Sequence, residues 1–214
     1  MSSFLHIWQA DLIADYPSWA VAEATLSPAE LGRQARLRTA TLRQTFGRAH
    51  GFLRAVLAVY TSQAARLLAF STTDLGKPQL PDTAIHFSLS YRPGRALLAV
   101  SNAASVGADV EPLRPLADAA ALVADLFSPT EQAALRAAPP EGWWPLFYTI
   151  WTRKEAYAKA LGMGLTMPFA GFSVLAPPCA GPVVLTAPPD ASLHSFAAGA
   201  GYQGPWLLWL ARCC

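Results

Sequence analysis

The sequence predicts an α+β fold in which two similar halves each run strand, capped helix, long helix and strands. Three observations predict it. The pattern Ser-Pro-x-Glu occurs at Ser27-Pro28-Ala29-Glu30 and again at Ser128-Pro129-Thr130-Glu131, each reading as an N-cap, an N1 proline and an N3 glutamate that open a helix. Each is followed by a longer segment of helical periodicity, with strand-like segments around it. The chain has 214 residues, 53% of them hydrophobic and 14% charged, enough to bury a substantial core and too apolar for a disordered chain. The repetition is one of element order, and no residue-level repeat accompanies it.

Phe4 to Ile13 mixes apolar and polar residues as a strand does, and the first capped helix begins after Ser27. Phe46, Phe52, Leu53, Val56, Leu57 and Tyr60 recur at helical spacing, so Arg43 to Gln63 reads as a long amphipathic helix with arginines on its open side. Ile85 to Tyr91 and Ala96 to Ser101 are strands joined through Arg92-Pro93-Gly94-Arg95, whose Pro-Gly centre suits a type II turn. Val106 to Glu111 is a further strand. Trp143 to Leu161 is a second long helix, ended by Gly162 and Gly164. The remaining strands are separated by Pro177-Pro178 and Pro188-Pro189. A boundary near Asn102 to Ser105 divides residues 1–104 from 105–214 within a single compact unit.

No apolar run reaches the roughly 18 residues of a spanning helix, and Met1 to Ala10 lacks the basic start of a signal peptide. The expectation is a soluble, cytoplasmic protein with no membrane partner. Cys179, Cys213 and Cys214 have neither metal-ligand nor disulfide spacing and suit a reducing compartment. The net charge of +2 hides an uneven distribution: Arg33, Arg36, Arg38, Arg43, Arg48, Arg54 and Arg66 lie between Leu31 and Thr73 without a single carboxylate. That stretch is either a solvated helix face or a surface for an anionic partner. No zinc-finger, helix-turn-helix or RNP pattern accompanies it, so a nucleic acid is not the expected partner.

Two constellations carry chemistry. Asp109 and Glu111 lie two apart in Gly107-Ala108-Asp109-Val110-Glu111, and a strand puts alternate side chains on one face. The pair is either the wet face of a half-buried strand or part of an oxygen-ligand set for a hard cation. Trp151, Glu155 and Lys159 are spaced four apart on the second long helix. They form one stripe, either a surface i,i+4 salt bridge or a carboxylate and an ammonium aimed at one pocket above an aromatic. Lysine use favours the pocket. The chain has thirteen arginines and only three lysines: Lys154 and Lys159 in this helix, and Lys77 in the turn Gly76-Lys77-Pro78, where an ammonium can meet a phosphate as a point charge.

Gly107-x-Asp109-Val110-Glu111, Phe127 to Glu131, and Trp151-x-x-Lys154-Glu155-x-x-x-Lys159-x-x-Gly162-x-Gly164 together resemble the 4′-phosphopantetheinyl transferase superfamily. The length, Gly76-Lys77-Pro78 and His86-Phe87-Ser88-Leu89-Ser90 resemble its larger, surfactin-synthetase-activator type. That type is a monomer of two similar α+β halves forming a pseudo-dimer, each with a small antiparallel sheet packed on a long helix. The small trimeric holo-acyl-carrier-protein synthase type needs only about half this chain.

The resemblance implies transfer of the 4′-phosphopantetheine group from coenzyme A, the co-substrate, to a serine of an acyl or peptidyl carrier protein. The cation is Mg²⁺ or Mn²⁺, and 3′,5′-ADP is released. Carried over residue by residue, it implies Asp109, Glu111 and Glu155 around the metal and Asp109, Glu155 and Lys159 in catalysis. Lys77, Pro78, Ser90, Tyr91 and Lys154 fall on the coenzyme A side. The family often has histidine where this chain has Tyr91, at the 3′-phosphate of coenzyme A; Arg43, Arg48 or His50 are the candidates to supply that charge. Glu131 is accounted for by its capping box. Carrier proteins of this kind are acidic around the modified serine, so the arginine stretch is a candidate to steer docking. The competing readings are a non-catalytic carrier-protein or coenzyme A binding protein of the same fold, which Tyr91 favours, and a nucleic-acid-binding protein.

Overall fold

The computed structural model describes residues 2–175 and, as backbone, three further strands. The expected N-terminal strand is β1, Leu5–Asp11. A short helix α1, Ser18–Glu23, which the sequence reading did not anticipate, precedes α2, Pro28–Ala35. The long α3 runs Ala40–Thr61, opened by the Thr39 hydroxyl, which accepts from the Leu42 amide. A two-strand ladder of β2, Ser71–Thr72, and β3, Pro78–Gln79, frames the Lys77 turn. The hairpin of β4, His86–Arg92, and β5, Arg95–Ser101, turns through Gly94 at a φ of 103°, which glycine takes without a Cβ clash. β6, Ser105–Pro112, follows, and then α4, Ala119–Leu126, also not anticipated, and α5, Pro129–Ala137. The second long helix, α6, is Pro140–Leu161, closed by Gly162 in the left-handed conformation. β7, Val183–Val184, β8, Ala191–Phe196, and β9, Trp206–Cys213, complete the chain order. The proline pairs at 177–178 and 188–189, Cys179 and Cys214 lie outside the described residues.

The strands form two antiparallel sheets, β1-β5-β4 and β6-β9-β8-β7, beside the β2-β3 ladder. α3 packs on the first sheet around Leu53, Leu57, Phe87, Leu98 and Val100. α6 carries Phe147, Tyr148, Ile150 and Tyr157 into the second core. Between the sheets lies a thin core of Leu97, Ala99, Val106, Ala108 and Val110.

The edges β4 and β6 meet there without a backbone ladder. The side chains of Ser88 and Ser90 accept hydrogen bonds from the amides of Ala108 (3.0 Å) and Val110 (3.2 Å). Hydroxyls thus stand in for the carbonyls of a missing strand pairing and satisfy buried donors. The alternation of β4 sends Ser88, Ser90 and Arg92 to this seam, while Phe87, Leu89 and Tyr91 face the other way.

Both capping boxes form, and each does more than cap. Glu30 accepts from Ser27 and pairs with Arg54 of α3 at 2.7 Å; Arg54 also donates to the carbonyls of Ala65 and Leu68. Glu131 accepts from Ser128 and pairs with Lys154 of α6 at 2.9 Å; Lys154 also donates to the carbonyls of Phe169 and Phe172. The cations occupy the same turn of two 22-residue helices. Here is a residue-level correspondence that the bare sequence hid, because one cation is arginine and the other lysine.

Candidate active site

The close packing of β6 on α6 brings the two constellations together. A Cβ on Gly107 would lie 1.9 Å from the carbonyl oxygen of Ala156 and 2.4 Å from the amide nitrogen of Ala160, so only glycine lets the strand backbone touch the helix backbone. Two residues on, Asp109 faces Lys159: the ammonium lies 2.5 Å from Oδ1 and 3.3 Å from the Ser90 hydroxyl. Ser90 itself donates to the same Oδ1 at 2.9 Å. Glu111 is gripped by Arg92, whose Nε donates to Oε2 at 2.9 Å and whose Nη2 meets Oε1. Asp109 is 1% and Glu111 8% exposed, which rules out the wet strand face as their explanation.

Trp151, Glu155 and Lys159 form the half-buried stripe of α6, flanked by buried positions. Lys159 pairs across to Asp109 instead of along its own helix with Glu155. Burial raises the Glu155 pKa above the ordinary glutamate value; Lys159 opposes this, while the carboxylates of Asp109 and Glu111 add to it. Three acidic side chains therefore share one electrostatic neighbourhood.

Among the described residues, no three His, Cys, Asp or Glu side chains form a ready-made metal cluster. Lys159 and Arg92 instead neutralise Asp109 and Glu111. The donor set nevertheless fits a hard cation: it is all carboxylate, mutually repelling, and buried Oδ2 of Asp109 accepts no hydrogen bond from any described residue.

A cleft of about 820 Å³ runs from the first capping box to the end of α6, lined by Arg33, His50 and Tyr91 and by Lys77, Pro78 and Lys159. Its size suits a nucleotide-sized ligand. Tyr91 lies edge-on to His50 at 5.8 Å. Burial raises its phenol pKa, while Arg33 and Arg92 work against that rise.

Other expected site residues are placed differently. Lys154 is fully buried, its ammonium committed to Glu131 and the carbonyls of Phe169 and Phe172, so it supports α6 and does not line the cleft. Arg48 is buried and donates to the carbonyls of Leu12, Ile13 and Ala14. Arg43 donates to the Leu37 carbonyl at 2.8 Å. Neither arginine lines the cleft; Arg33 and His50 do. Lys77 lines it, yet its ammonium donates to Ser105, Val106 and Ala160, tying the turn to β6 and α6. The arginine stretch is not one solvated face, since Arg48 and Arg54 are interior while Arg33, Arg36, Arg38 and Arg66 are exposed. The sequence reading missed Arg92 and the close approach at Gly107; the period-2 alternation that puts Ser90 on the seam also puts Arg92 there.

Residues 105–204 match the 4′-phosphopantetheinyl transferase superfamily. The chain is 35% identical over 171 residues to the 4′-phosphopantetheinyl transferase HetI of Nostoc sp., a match covering 77% of this chain and 71% of the relative. This chain belongs to the 4′-phosphopantetheinyl transferase superfamily. The transferase is also 33% identical over 108 residues to Sfp of Bacillus subtilis, across 50% of this chain and 47% of that protein. With AcpT of Escherichia coli it shares 38% over 88 residues, 41% of this chain and 45% of that one. The resemblance read from the motifs is borne out, and with it the enzyme class. Among the described residues no helix is long and apolar enough to cross a membrane.

Proposed function

We propose that this transferase moves the 4′-phosphopantetheine group of coenzyme A onto a serine of an apo acyl or peptidyl carrier protein, releasing 3′,5′-ADP. The observation that carries this reading is the gathering of Asp109, Glu111 and Glu155 beside Lys159, which lines one end of a nucleotide-sized cleft. Asp109, Glu111 and Glu155 are the side chains that would hold Mg²⁺ or Mn²⁺. When bound, the cation neutralises charge on the pyrophosphate.

Glu155, half-buried on the stripe it shares with Trp151 and Lys159, takes the proton of the attacking serine hydroxyl. The serine oxygen bonds to the pantetheine-side phosphorus as the pyrophosphate P–O bond breaks. Lys159 stabilises the departing phosphate. Arg33 and the His50 imidazole, beside Tyr91, are the groups that meet the phosphorylated nucleotide, a task the sequence alone left between Arg43, Arg48 and His50. Pro78 lines the cleft, and Ser90 and Lys77 act through Asp109 and the end of α6.

Residues 1–104 and 105–214 act as the two halves of a pseudo-dimer. The twin glutamate–cation clasps support this. The exposed Arg33, Arg36 and Arg38 steer an acidic carrier; a transfer rate insensitive to ionic strength would argue against that role.

The test is intact mass spectrometry of apo acyl, peptidyl and aryl carrier proteins incubated with the protein, coenzyme A and Mg²⁺, with an EDTA control. Phosphopantetheine addition abolished by EDTA is the expected result. Coenzyme A binding without addition to any carrier would identify a non-catalytic binder instead.

A further inference from the structure

We infer that Arg92 is the resident counter-cation of Glu111 and that a divalent cation must displace it to bind. The inference rests on the reading of Asp109, Glu111 and Glu155 as the cation's ligands. The two strand carboxylates are held differently. Lys159 and Ser90 both meet the same oxygen of Asp109, and Oδ2 is left bare. Glu111 has both oxygens taken by one planar fork, Nε on Oε2 and Nη2 on Oε1, the bidentate geometry that binds carboxylates most firmly.

Asp109 thus presents a ready oxygen, whereas Glu111 can give one up only if the guanidinium lets go. Arg92 has somewhere to go: its side chain is 42% exposed, against 11% for Glu111. It leads into the Pro93-Gly94 turn of the hairpin, so the side chain can swing into water while the backbone stays put. Its one further hydrogen bond among the described residues is Nη1 to the carbonyl of Tyr91 at 3.1 Å, a bond within its own strand that does not anchor it to β6. Two cations face three carboxylates, so losing one leaves the cluster more negative and more receptive to a divalent ion. Cation binding is therefore an exchange of Arg92 for metal, and Arg92 sets the affinity.

The experiment is a Mn²⁺ titration of the free protein, with unbound Mn²⁺ read by electron paramagnetic resonance, in wild type, Arg92→Gln and Arg92→Lys. Arg92→Gln should bind Mn²⁺ roughly tenfold more tightly, the order expected for one charge-assisted contact that no longer competes. Arg92→Lys keeps the charge but loses the fork and should gain part of that. Circular dichroism checks that the variants are folded. If Arg92→Gln does not fold, the Lys variant decides on the same criterion. Unchanged or weaker affinity in a folded variant, with Mn²⁺ still bound by wild type, overturns the role of Arg92 alone. Absence of Mn²⁺ binding in all three proteins overturns the ligand assignment and the inference with it.

Discussion

Glu155 and Glu30 titrate on opposite sides of the ordinary glutamate pKa of 4.5, and each gives the protein a pH dependence of its own sign. Glu155 is raised in the fold, so its favourable contribution is complete below the ordinary value and disappears as pH rises through the raised one. Without divalent cation, Glu155→Gln should therefore melt above wild type at neutral pH and level with it below about pH 4.5, a comparison thermal denaturation at two pH values makes directly. On the proposed role of Glu155, the same variant should lose about a hundredfold or more in transfer, the cost of a missing general base. Glu30 is the reverse case: burial opposes its charge, but His50, Ser27 and Arg54 outweigh it and hold the pKa at about 2. Its contribution is present above the ordinary value and lost as pH falls toward 2, so wild type and Glu30→Gln should differ most at neutral pH and converge in acid. The meeting of Asp109, Glu111, Glu155 and Lys159 was legible because two-residue strand and four-residue helix spacings are local geometry. Lys154, Arg48 and Arg43 were misread because nothing local distinguishes a lysine or arginine that faces water from one whose partners, such as Phe169 and Phe172 for Lys154, come from a later segment.

Each long helix is fixed by a cation reaching two carbonyls of the chain that follows it and the glutamate of the preceding helix cap. Such a clasp is a buried ion pair with its hydrogen bonds satisfied, so deleting one partner is costly. Lys154→Met leaves Glu131, which is 0% exposed, without its counter-ion and should cost about 3–5 kcal/mol in a urea unfolding titration. The β6–α6 contact is as exacting. Gly107→Ala forces a methyl group into the Ala156 carbonyl, so strand or helix must shift; the expected cost is at least about 1–3 kcal/mol. Transfer should fall further than stability does, because Asp109 and Lys159 ride on the two elements that part. A variant with normal turnover and lowered stability would show that the approach serves packing alone. Gly107 was visible as part of a motif, but its reason, backbone against backbone, lies in a contact between elements and leaves no mark on either one alone.

At the scale of the molecule, element order and the α+β class were legible because caps, periodicity and turn residues act over short stretches. The joining of the two sheets was not, since it depends on Ser88 and Ser90 meeting amides from a different sheet edge. That joint also marks time. Along β6, alternate amides point to opposite sides: those of Ala108 and Val110 to the serine hydroxyls, those between them to β9. Deuterium uptake at Ala108 and Val110 should therefore run ahead of uptake at Asp109, and should slow when the cleft is filled. Those two protons are a clock for the parting of the two sheets, and since Ser90 holds Asp109 as well as Val110, each tick is also a momentary loosening of the carboxylate that Lys159 meets.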